Sequence, residues 1–168
     1  MAKKENRLYF DSPVFEENGY IGEEHTCDGY ERSPPFYIAQ VPPETKSFVL
    51  LMEDLDAEDS QGESSRNHWV VWNIPVVEEI EEQELPHGAV VGVNDFGDNA
   101  YAGPCPHNSE HRYEFRLYAI NKVLNLDEDS SKKVVLASIE YDILAQSSIC
   151  CRYKREEHDN DEYTIMQK

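Results

Sequence analysis

The run "YEFRLYAI" at residues 113 to 120 puts Tyr113, Phe115 and Leu117 on one parity and Glu114 and Arg116 on the other. Successive side chains leave a pleated backbone on opposite sides, so this alternation predicts a strand with one buried and one wet face. Three further stretches are short, apolar and rich in β-branched or aromatic residues: "SFVLLME" (47 to 53), "HWVVWNIP" (68 to 75) and "AVVGVND" (89 to 95). These read as strands too. Both parities of "HWVVWNI" are apolar, which fits a central strand covered on both faces. One segment has a different period. In "DEDSSKKVVLASIEYDILAQ", Leu136, Ile139 and Ile143 recur at helical spacing with Val135 alongside, and acidic or Ser residues stand where caps belong. A helix over about 130 to 146 follows, then a closing strand in "SSICCRYKRE". The chain is therefore mainly β with few helices.

A length of 168 residues suits one domain, 1–168, with about 1–6 and the polar 157–168 as flexible tails. The net charge of −19, from 34 acidic and 15 basic residues, argues against nucleic acid or an anionic membrane as a general partner. No stretch approaches the roughly 18 apolar residues that span a bilayer, so integral membrane association is not expected. The start "MAKKENRLYF" carries no apolar export segment, which predicts a cytoplasmic protein. Cys27, Cys105, Cys150 and Cys151 form no CxxC pair, and in a reducing compartment all four are expected to be free thiols. Adjacent Cys150 and Cys151 would point to opposite faces of their strand.

Ahead of the alternating run lies "GPCPHNSEHRY" (103 to 113), dense in residues that bind or react. If the 47 to 54 and 68 to 75 stretches pair antiparallel, Asp54 and His68 meet at one sheet edge. Parity places Met52, Asp54 and Asp56 on one face, and His111, Tyr113 and Phe115 likewise, giving a polar mouth over an apolar floor. Three chemistries compete for this group. An Asp–His pair could orient a general base, so an enzyme acting on a phosphate or acyl ester through Asp54 and His68 is one reading. No GxSxG elbow or other marked nucleophile accompanies the pair, and no catalytic residue is assigned. A metal site would need ligand spacing such as HxxxH or HxH, which is absent, so neither metal nor cofactor is expected. An anion cradle asks only for His and Tyr donors, backbone near Gly103 and Pro104, and an aspartate fixing an imidazole.

These motifs, in this order, resemble the phosphatidylethanolamine-binding protein family, especially its bacterial and archaeal Raf-kinase-inhibitor-like branch. The resemblance runs from "HTCDGYERSPPF" to "ICCRYKRE" and includes "HWVVWNIP", "GVNDFG" and "GPCPHNSEHRYEFRLYAI". "EDLDAE" stands where the family has a DPDAP-type segment, with Leu55 and Glu58 at the proline positions. The resemblance implies a large antiparallel sheet, a second small sheet and few helices. It also implies a pocket for a phosphate-like anion or phospholipid head group, built from Asp54, Asp56, His68, Gly103, Pro104, His111 and Tyr113. A ligand-binding protein with a regulatory role toward a kinase or protease follows, often as a homodimer; a pure protein-interaction module is the remaining alternative.

Overall fold

The computed structural model describes residues 7–57, 65–107 and 109–156. A six-stranded sheet forms the body, in the order β2 (Gly19–Tyr20), β9 (Ile143–Tyr153), β8 (His111–Ile120), β4 (Ser47–Asp54), β5 (Arg66–Ile74) and β7 (Val90–Val91). All its pairings are antiparallel except β2 with β9. A three-stranded sheet, β1 (Tyr9–Asp11), β3 (Phe36–Ala39) and β6 (Glu79–Ile80), lies over one face. The single α-helix among the described residues, α1 (Lys132–Ile139), covers the other.

Two cores result. Phe10, Phe36, Ile38 and Ile80 of the small sheet pack with Phe48, Leu50, Met52, Trp69, Phe115 and Leu117 of the large one. On the opposite face Val49, Leu51, Val70, Trp72 and Ile120 meet Val135 and Ile139 of α1. Strand β4 is buried at every position because it is central and each parity feeds one core. Full burial of each large apolar side chain contributes about 1.5–3 kcal/mol, so β4 is the strand on which both layers depend.

Three expectations change. The helix ends at Ile139, because Ile143 to Gln146 pair with Ile120 to Tyr118 of β8 and extend β9 backwards. Ile143 fits either period, and the ladder takes it. "AVVGVND" contributes only the two residues of β7. The cysteines are not all free: Cys27 and Cys105 form a disulfide across 78 residues. The Cys27 N–H donates to the Pro104 carbonyl at 3.1 Å, which brings the two Cα atoms to 5.4 Å, inside the range a disulfide spans. Cys150 and Cys151 are free, with Cys151 buried and Cys150 half-buried, as their opposite faces require.

Candidate functional site

The polar ends of β4, β5 and β8 meet at one edge of the large sheet. Asp54 lies opposite Tyr113 on β8 and opposite Arg66 on β5. His68 reaches the same place by a different device. Met52 pairs with Trp69 and Glu53 with Asn67, which leaves His68 as the extra residue of a β-bulge. Trp69 faces the first core, so strict alternation would send His68 to the opposite side of the sheet. The bulge turns its ring back to stand edge-on to Tyr113, at 5.5 Å between centroids.

These side chains line a cavity of about 860 Å³ together with Phe96, Cys105 and Pro106. Its chemistry is set by what holds each group from behind. His111 donates Nδ1–H to Asp54 Oδ2 at 2.7 Å, and the other Asp54 oxygen accepts the Asp56 N–H at 2.9 Å. His68 donates Nδ1–H to the Ala102 carbonyl at 2.8 Å, and its own carbonyl accepts the Ala102 N–H. Both rings are thereby fixed in orientation and tautomer, with Nε2 the atom left without a partner among the described residues. Burial pushes the His68 pKa below the ordinary histidine value; the Ala102 carbonyl and the Asp54 charge only partly offset this. Neutral His68 therefore offers Nε2 as an acceptor. The Tyr113 hydroxyl is buried with no hydrogen-bond partner among the described residues, and burial followed by the Asp54 charge keeps it protonated far above the usual tyrosine range.

The expected Asp54–His68 pairing is thus corrected: the register aligns Asp54 with Tyr113, and it is His111 that takes the carboxylate. Asp56 lines the cavity but is neutralised by Arg112, which donates Nε–H and Nη2–H to its two oxygens and lowers its pKa. Gly103 and Pro104 stand behind the wall, outside the lining. The Gly103 N–H donates to Glu31 at 3.2 Å, and a Cβ on Gly103 would come within 2.7 Å of the His25 carbonyl, so this glycine serves close backbone packing. No cluster of His, Cys, Asp or Glu able to hold a metal occurs among the described residues.

The geometry and the motifs agree with comparison to known proteins. A family model described as "Phosphatidylethanolamine-binding protein" matches residues 11–154. The chain belongs to the phosphatidylethanolamine-binding protein family. It is 40% identical over 148 residues to a UPF0098 protein of Methanothermobacter thermautotrophicus, covering 84% of this chain and 95% of the relative. Its structure resembles that of a putative phosphatidylethanolamine-binding protein homologue from Chlamydia trachomatis, with a TM-score of 0.85, 33% identity, and coverage of 90% and 99% of the two chains. Escherichia coli YbcL, described as a member of the mammalian family, gives a TM-score of 0.81 at 28% identity, covering 89% of this chain and 99% of that one.

Within this phosphatidylethanolamine-binding protein fold, sequence reasoning passed over Arg66 and Phe96. Arg66 was accessible from the hairpin register, since its strand position faces Asp54. Phe96 lies in a loop, and no periodicity marks it. No helix among the described residues is long and apolar enough to cross a membrane.

Proposed function

We propose that this protein binds a small phosphate-bearing anion, free or as a head group, between Arg66, His68, His111 and Tyr113. The role is regulatory, toward a protein partner such as a kinase or protease, and works through binding and not turnover. One observation carries the reading: both imidazoles are pinned through Nδ1, which leaves two Nε2 atoms and a guanidinium on one cavity. Asp54 orients the His111 ring from behind, through Nδ1, without touching the anion. The rim carboxylates are already matched, Asp56 by Arg112 and Glu110 by Arg152 at 3.5 Å. Neither cavity-lining thiol nor hydroxyl is primed for attack: Cys105 is held in the disulfide, and Ser109 makes no hydrogen bond to either ring among the described residues.

Calorimetry with inorganic phosphate and phosphoethanolamine, in chloride buffer, tests this. His68→Ala and His111→Ala are each expected to weaken binding about tenfold or more, the effect of one hydrogen bond to a charged group, with an unchanged fold by circular dichroism. Equal binding by wild type and both variants would place the anion elsewhere, and no binding by wild type would refute the proposal.

A further inference from the structure

Acidic residues outnumber basic ones 34 to 15 in this chain, so an arginine without a carboxylate calls for an explanation. Arg32, Arg112, Arg116, Arg152 and Arg155 each have one within 4 Å, at 3.9, 2.9, 2.8, 3.5 and 2.9 Å. Arg66 has none among the described residues. Its guanidinium rests over the Phe96 ring, 5.5 Å from the centroid, and lines the cavity beside His68. A guanidinium held over a ring and without a carboxylate keeps N–H groups for a ligand, and their fork matches two oxygens of one phosphate.

His68 makes the complementary demand. The Ala102 carbonyl can only accept, so in the neutral ring that burial favours, Nδ1 carries the hydrogen and Nε2 is left with its lone pair. A lone pair on the wall calls for a hydrogen on the ligand. A phosphodiester shares one charge over two non-bridging oxygens and has no P–OH hydrogen, so it would meet Nε2 with a repelling lone pair unless buried His68 first took a proton from water. A phosphomonoester, with its second pKa near 6, shares a P–OH proton readily. That proton can sit on the phosphate oxygen or on Nε2, while the two remaining oxygens face Arg66.

We infer that Arg66 and His68 make this cavity selective for a terminal phosphomonoester over a phosphodiester, with Arg66 as the specificity-determining residue. The inference rests on the phosphate-binding reading above and names its ligand class.

The test uses two soluble probes that share an ammonium group. Phosphoethanolamine is a monoester; glycerophosphoethanolamine is the corresponding diester. In calorimetry on the full chain at pH 7 and fixed chloride, the monoester is expected to bind at least about tenfold more tightly, the equivalent of one charged hydrogen bond. Arg66→Gln should lose most of that preference, and Arg66→Lys, which keeps the charge without the fork, should fall between. Thermal unfolding establishes that both variants fold. Equal affinity for the two probes in wild type, or an unchanged ratio in Arg66→Gln, overturns the selectivity while phosphate binding stands. If inorganic phosphate and both probes fail to bind wild type, the underlying reading fails and the inference falls with it.

Discussion

Replacing Tyr113 with phenylalanine should move stability and ligand affinity in opposite directions. The Tyr113 hydroxyl is buried and unpartnered among the described residues. Asp54 is close enough to hold the hydroxyl protonated, but its two oxygens are aimed at His111 and the Asp56 N–H, and the Tyr113 hydroxyl makes no hydrogen bond to either. A buried donor in this condition costs about 1–3 kcal/mol, whereas the aromatic ring packs equally well without its oxygen. Tyr113→Phe should therefore stabilise the ligand-free protein by about 1 kcal/mol, raising the unfolding midpoint by roughly 2–4 °C for a chain of this size. The hydroxyl acquires a partner only when a phosphate oxygen arrives, so affinity should fall by about 1.5–3 kcal/mol, a loss of roughly 10- to 150-fold. Thermal melts in phosphate-free chloride and calorimetry with phosphate measure the two effects. A loss of 1 kcal/mol or more in the ligand-free melt would show that the hydroxyl is already bonded, and the reasoning would be wrong.

Thiol alkylation under denaturing, non-reducing conditions should count two free cysteines; Cys27→Ser should lower stability by about 4.5 kcal/mol, the chain-entropy value for a loop of this length, as read by urea unfolding. The depressed pKa of His68 means that the unfolded chain binds its proton first as pH falls. Its contribution to stability should be complete above the ordinary histidine value of 6.5 and decline below it until the folded-state pKa is passed, a dependence that urea midpoints from pH 8 to 5 should show and His68→Gln should flatten. Light scattering over a range of salt should give a dimer mass, because two-fold assembly is common in small proteins and self-repulsion at −19 is screened over about 8 Å at physiological ionic strength; a monomer at micromolar concentration would exclude it.

Much of the scaffold was readable because its signals are local. Tyr113, Phe115 and Leu117 announce their shared face by parity, and both cores of β5 are already visible in "HWVVWNI". Parity also put His111 and Tyr113 on one face of their strand, while their grouping with Asp54 came from the family resemblance. What escaped depends on contacts between distant segments. The disulfide joins two loops 78 residues apart, and nothing near Cys27 or Cys105 names its partner. The choice of His111 over His68 as the mate of Asp54 follows from the β4–β8 register, which alternation alone does not specify. Ile143 was assigned to the helix because its spacing suits one, and only the ladder to β8 decides otherwise.

The bulge at His68 gives the cavity an address written in chain length. Deleting a single residue on its N-terminal side, such as Asn67, could erase the irregularity and return the strand to plain alternation. The imidazole would then pass through the sheet toward Val70 and Trp72, and the Ala102 loop would lose its anchor, although every residue named in the site would still be encoded. Two homologues with the same histidine in an alignment column can therefore differ in whether they possess this pocket, and anyone transplanting the site into another β scaffold must carry over the extra residue along with the side chains.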